Sequence, residues 1–288
     1  MLGVYWWSPL RSARTLAAEA RSNAKAWTVM ARQNSGRIYN FGDEIAPYVL
    51  RELTGEKVSW RPPSRADVFS VGSILEIYGK RARGAKIFGS GIRSGSWPFA
   101  QVTSDVVCSV RGTSTRDALG LPESTVLGDP GLAVAVLDVG TVRRTTRPAV
   151  VPHFGTFSSM EGRATLSSLR ARGFDILLPN TNALDMVRRI AGASYVVTSS
   201  LHGLVFAHAL GVPAVLTSFS GHAEPTFKYD DYMSVFGMRA EFRPVDSAYV
   251  LGGDAAVEVR KAEDAQRILA LVPEVVEGMR EASQRLVQ

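Results

Sequence analysis

The residues best equipped for chemistry in this chain lie in one run, Ser199-Ser200-Leu201-His202-Gly203. A β-branched stretch, 195–198, precedes it and reads as a buried strand. An apolar helical pattern follows from Leu204, and Gly211-Val212-Pro213 ends it before another apolar strand, 214–217. His202 is therefore expected at the carboxyl end of a strand and the amino end of a helix. Ligands collect at such junctions in open α/β sheets, because unpaired backbone N–H groups and the helix dipole both favour an anion. A titratable imidazole there, with two hydroxyls just ahead, reads as a phosphate or carboxylate site.

Other constellations could serve the same site. Asn40-Phe41-Gly42-Asp43-Glu44 sets a glycine turn and two acids before a helical pattern. Plain helix capping asks for the same residues, but Asp43 at a cleft edge could also act as a base toward a hydroxyl. Val71-Gly72-Ser73 and Gly89-Ser90-Gly91 follow strands. Their glycines would let backbone approach a phosphate, although neither loop carries the P-loop lysine or a complete Gly-x-Gly-x-x-Gly pattern. Arg111, just beyond a strand and beside Gly112, could grip a carboxylate or phosphate with two parallel hydrogen bonds. Arg116, within the next helix, reads as a surface residue beside Asp117. His153 ends a further strand, so His153 and His202 hold equivalent positions and point to one crevice. The four histidines and one cysteine show no metal-ligand spacing, so neither a metal nor a cofactor is expected. No Gly-x-Ser-x-Gly elbow is present, which disfavours a serine hydrolase.

The elements that must position these residues alternate along the chain. Strand-like 3–7 leads to a helix-compatible insert, 13–32, and a helical pattern, 45–53. Strands running into glycine loops follow at 66–73 and 85–92, the design repeats at 106–111, and then come a helix at 114–119 and a short strand at 125–127. A polar, arginine-rich linker, 140–147, separates these from strand 149–151, helix 158–172, strand 175–178, helix 183–191 and strand 195–198. The tail, 255–287, reads as helical and charged, with a break at Pro273. This alternation predicts parallel βαβ units. The fold class is α/β, with two Rossmann-like domains, 1–145 and 146–288, facing a cleft.

Composition narrows the partners. The 288 residues are 45% hydrophobic, ample for such a core. The aliphatic runs are short, so no membrane span is expected. The opening, Met1 to Ser8, has no basic segment ahead of its apolar residues, so no signal peptide is expected. The single cysteine, Cys108, lies in an apolar run and reads as a small core residue of a cytoplasmic protein. The net charge of +6 is carried mainly by scattered arginines without interleaved aromatics. Nucleic acid is not expected on that pattern, whereas peripheral contact with an acidic inner-membrane face is compatible with it.

Taken in order, Asn40-Phe41-Gly42-Asp43, Val71-Gly72-Ser73, Gly89-Ser90-Gly91, Val110-Arg111-Gly112, Gly128-Asp129-Pro130, Pro152-His153 and Ser200-Leu201-His202-Gly203 with Gly211-Val212-Pro213 resemble the polysaccharide pyruvyl transferases. The resemblance implies a fold like that of GT-B glycosyltransferases and phosphoenolpyruvate as donor. It implies a hydroxyl pair of a free or lipid-linked oligosaccharide as acceptor, and as product a pyruvate ketal on an exopolysaccharide or cell-envelope glycan, with no required metal. Two positions depart from the family pattern. Ser200 stands where an arginine often precedes Leu-His-Gly, and Gly112 where many members have aspartate. On this reading His202 is anion ligand and acid, Asp43 the base, Arg111 the clamp and His153 a cleft-lining residue. Asn40, Gly89, Ser90, Gly91, Ser200 and Gly203 would be further substrate contacts. Two alternatives share the scaffold: a nucleotide-sugar glycosyltransferase with Glu224 on the ribose hydroxyls, and a non-catalytic glycan-binding protein of an envelope assembly system.

Overall fold

The computed structural model describes residues 1–288 apart from 35–37, 82–83, 100, 220–225 and 252–262. Six short apolar runs form the first sheet: β1 (Leu2–Tyr5), β2 (Val58–Trp60), β3 (Val68–Ser70), β4 (Lys86–Ser90), β5 (Val107–Val110) and β6 (Val126–Leu127). All are parallel, in the order β2-β1-β3-β4-β5-β6. The second sheet, β7 (Ala149–Val151), β8 (Asp175–Ile176), β9 (Val196–Thr198) and β10 (Ala214–Leu216), is also parallel, in the order β10-β9-β7-β8. Central strands such as β3, β7 and β9 are buried throughout, which is why they read as unbroken apolar runs rather than alternating ones.

Strand order reverses once in each sheet, between β1 and β3 and between β7 and β9. At such a switch point the flanking connections leave on opposite faces and open a crevice beyond the strands' carboxyl ends. Trp7 and the 72–73 turn sit at the first crevice, 152–153 and 199–202 at the second, and all of them line one cleft. The α/β class and the two facing parallel sheets are as the sequence reads.

The helices depart from sequence expectation in three places. The insert 13–32 is two helices, α1 (Ala13–Ser22) and α2 (Ala24–Gln33), interrupted at Asn23 with φ −127° and ψ 19°. Ala26, Trp27 and Met30 of α2 are buried with Val150, Phe157, Leu166 and Val197 against the second sheet, although α2 follows the first strand of the first. Pro273 does not break the tail: it lies inside one helix, Glu263–Ser283. Burial of Ile268, Val272, Val276 and Met279 in the main core holds that helix together on both sides of the missing hydrogen bond. The same helix packs on β5, β6 and α3 (Ala46–Thr54), and on α8 (Leu201–Ala209) of the second half. Residues 255–262 of the tail lie outside the described residues. Four further helices follow strands or turns: α4 (Leu75–Arg81), α5 (Thr113–Ala118), α6 (Met160–Ala171) and α7 (Ala183–Gly192), and α9 (Phe227–Met233) comes after β10. Cys108 is buried and free, in the core as read. Among the described residues no helix is long and apolar enough to cross a membrane.

Candidate functional site

Helix α8 begins where the sequence places an anion site, and its cap governs which groups remain available there. Ser200 is the N-cap, and its hydroxyl accepts the Gly203 N–H at 3.4 Å. His202 is the second residue of the helix and is buried. Its ring lies against Gly42, where any β-carbon would overlap the imidazole, so the first half contributes bare backbone to this contact. Nε2 of His202 is buried without a hydrogen-bond partner among the described residues. Burial pulls the imidazole below its ordinary value of 6.5, Asp129 opposes this, and the positive charges of Arg111 and Lys228 reinforce it. The ring is therefore neutral near pH 7.

Asp43 opens the short turn Asp43–Ile45 and is also buried. The Asn40 side-chain amide donates to Asp43 Oδ2, while Asn40 Oδ1 accepts the Gly42 N–H at 3.2 Å. The other oxygen, Oδ1, rests on Gly72, whose φ of 86° and missing side chain make room for it. Burial, then the negative charges of Glu44 and Asp129, raise the carboxyl well above its ordinary 3.8, with Lys228 and Arg93 acting in the opposite sense. Asp129 is fully buried behind both groups. Its Oδ1 accepts the Gly131 N–H at 2.8 Å, and its Oδ2 has no partner among the described residues. Both shifts run against the proton roles expected from sequence, His202 as acid and Asp43 as base, because burial disfavours the charged imidazolium and the charged carboxylate alike.

Asn40, Asp43, His153, Ser200 and His202 all line the cleft, whose volume is about 1320 Å³. His153 donates its backbone N–H to Ser199 Oγ at 2.8 Å, and its Nδ1 accepts the Gly155 N–H at 3.2 Å. The remaining expected contacts do not face the cleft. Arg111 is fully buried: Nε donates to Asp231 Oδ2 at 3.0 Å, one terminal nitrogen to Ser73 Oγ at 2.5 Å and the other to the Ile92 carbonyl at 2.9 Å. It is a brace behind the wall that Ser73 presents, not a clamp in the cleft. Gly91 is glycine because the Arg111 guanidinium occupies the space of a side chain, and Gly89, with φ 66°, makes room for Pro130. Ser90 between them is fully buried, with no partner for its hydroxyl among the described residues. Gly203 lets α8 approach β7 and β9: a β-carbon there would lie 2.5 Å from Thr198 Oγ1 and 2.8 Å from Val151. Arg116 pairs with Asp117 at the surface, 2.9 Å apart.

Lys228, Tyr229 and Arg93 also line the cleft, and sequence reasoning missed all three. Lys228 is buried with its ammonium 5.1 Å from the Tyr229 ring centroid, and the Tyr229 hydroxyl donates to the Ser199 carbonyl at 2.8 Å. The signal was a lysine inside the aromatic run Phe227-Lys228-Tyr229, in a chain whose positive charge is nearly all arginine. Glu224 lies outside the described residues. Among the described residues no cluster of histidine, cysteine and acids is arranged to hold a metal ion.

A family profile described as polysaccharide pyruvyl transferase matches residues 25–220. An uncharacterised protein of Acanthamoeba polyphaga mimivirus is 27% identical over 125 residues, covering 41% of this chain and 42% of the relative. The succinoglycan biosynthesis protein ExoV of Rhizobium meliloti (strain 1021) is 28% identical over 215 residues, covering 71% of this chain and 63% of the relative. The chain thus spans less than two thirds of the length of either curated relative. Among solved structures, the glycosyltransferase SnogD from Streptomyces nogalater has a TM-score of 0.31 at 14% identity, covering 83% of this chain and 53% of the other, a likeness too slight to carry any argument.

Proposed function

This chain belongs to the polysaccharide pyruvyl transferase family, and on that premise we propose that it moves pyruvate from phosphoenolpyruvate onto a hydroxyl pair of an exopolysaccharide or cell-envelope glycan. The observation that carries the reading is that Asp43, its carboxyl held well above 3.8, and His202, whose Nε2 has no partner among the described residues, line one cleft with Lys228 and Arg93. The similarity to a protein named for succinoglycan biosynthesis supports a polysaccharide as the acceptor class.

The donor carries a carboxylate and a phosphate, which call for fixed cations, and Lys228 and Arg93 are the cations on the wall. Asp43 gives its proton to C3 of the donor, which becomes a methyl group, and positive charge develops at C2. A sugar hydroxyl attacks C2 and its proton passes to Nε2 of His202. The imidazolium then returns that proton to phosphate as the C2–O bond breaks, and the second hydroxyl closes the ketal and reprotonates Asp43. Both residues end as they began. Proton transfer of this kind contributes about 10²–10⁴-fold for each positioned group.

Ligand-dependent melting tests the donor. Phosphoenolpyruvate at a hundredfold excess over its Kd should add about 2.7 kcal/mol of stability, with UDP and GDP sugars silent. Stabilisation by a nucleotide sugar and none by phosphoenolpyruvate would instead place the chain among glycosyltransferases.

A further inference from the structure

The cleft, at about 1320 Å³, is larger than the roughly 300–1,000 Å³ of an ordinary small-molecule pocket, and far larger than a three-carbon donor needs. Its two ends also differ in chemistry. One carries Lys228 and Arg93 beside Asp43 and His202. The other is walled by α1 and α2 and carries Trp7, Trp27 and Phe154 together with Glu19 and Asn23. The Trp27 and Phe154 rings lie parallel, with centroids 5.8 Å apart and an interplanar angle of 5°, and His153 packs on Phe154 at 4.4 Å. His153 thus joins the aromatic end to the loop of the catalytic one.

Glu19 fixes this end. Its Oε2 accepts Trp27 Nε1 at 3.0 Å and the Asn23 side-chain amide at 2.8 Å. Among the described residues its Oε1 takes no hydrogen bond, and neither does the Asn23 side-chain carbonyl. Trp27 is buried and backs Phe154, so the rings left to the cleft are those of half-buried Phe154 and Trp7. Such flat apolar rings beside two oriented acceptor oxygens complement a pyranose, which offers a C–H face and a rim of hydroxyl donors. They do not suit the donor, because the Glu19 carboxylate repels its two anionic groups. Trp7, Glu19 and Asn23 precede residue 25, where the family match begins, whereas Trp27 and Phe154 fall within it.

We propose that the α1–α2 end of the cleft is a subsite for a neutral pyranose of the acceptor chain, next to the unit that receives pyruvate. Calling that sugar the acceptor rests on the pyruvyl-transfer reading; its binding does not. Calorimetric titration of the full chain with neutral gluco- and galacto-oligosaccharides tests it, with Glu19→Gln and Phe154→Leu as variants. Phe154→Leu keeps an apolar side chain for folding but removes the ring face. The expected result is saturable binding of at least one oligosaccharide, weakened about tenfold in each variant, while the melting shift given by phosphoenolpyruvate is unchanged. Absence of binding across the panel, or equal binding by both variants and the parent, overturns the subsite. Sugar binding that responds to the variants while phosphoenolpyruvate leaves the melting temperature unmoved upholds the subsite and removes the donor reading instead.

Discussion

Replacing Asp231 with leucine should cost about 3–5 kcal/mol of stability, the usual effect of leaving one member of a buried ion pair without its partner. Both Asp231 and Arg111 are fully buried, and the Asp231 carboxylate also accepts Thr115 N–H and Thr115 Oγ1–H at 2.7 Å each. The pair joins the turn after β5 to α9, so it ties the first sheet to the helix carrying Lys228. With about 2.1 cal/mol/K of unfolding entropy per residue, 288 residues give about 0.6 kcal/mol/K, and the loss becomes about 5–8 °C in calorimetric melting. Arg111→Met alone should lose a similar amount. The double variant Arg111→Met/Asp231→Leu should recover much of it, because neither charge is then stranded. Single losses that simply add in the double variant would remove the coupling. An Arg111→Met protein that melts like the parent yet no longer binds phosphoenolpyruvate would refute the brace and restore Arg111 as the clamp.

The other predictions follow from contacts at the site and in the core. Gly42→Ala should push the His202 ring aside and lower kcat about 100-fold, since displacements near 1 Å have that effect; turnover equal to the parent would show that the contact does not position the ring. In a pH–rate profile, kcat/KM should fall on the alkaline side as Asp43 loses its proton and on the acid side as His202 gains one. Asp43→Asn should abolish the alkaline limb, and a limb that survives would assign it to another group. Burial lowers His208 from 6.5 to about 3. Because the folded value lies below the unfolded one, stability is full above pH 6.5 and falls as pH drops below it, by about 2 kcal/mol at pH 5. His208→Asn should flatten that slope in melts taken from pH 7.5 to 5.

Much of the scaffold is legible because buried parallel strands are short β-branched or apolar runs that end in glycine, hydroxyl residues or histidine. His153 and His202 stand at equivalent strand ends, and the switch point between β7 and β9 brings both to one cleft. The glycine loops mislead for an instructive reason. Glycine does signal close approach, but here the approaching groups are the protein's own: His202 at Gly42, Asp43 at Gly72, Pro130 at Gly89 and Arg111 at Gly91. The partner of Arg111 is 120 residues downstream, which no local pattern reveals. Proton roles are equally hidden, since they depend on burial and on Asp129, contributed by a turn distant in sequence from both Asp43 and His202. The crossing of α2 to the second sheet is likewise tertiary, and the sequence shows only a helix-compatible insert there.

Mass spectrometry of an acceptor oligosaccharide incubated with the protein and phosphoenolpyruvate tests the central claim most directly, with inorganic phosphate measured in the same tube. The expected result is a pyruvyl adduct on the acceptor, matched by an equal amount of phosphate, and neither product from a folded His202→Ala variant. Acceptor left unmodified by phosphoenolpyruvate but extended by a sugar from a UDP or GDP donor would contradict it, as would a His202→Ala protein that works at the parent's rate.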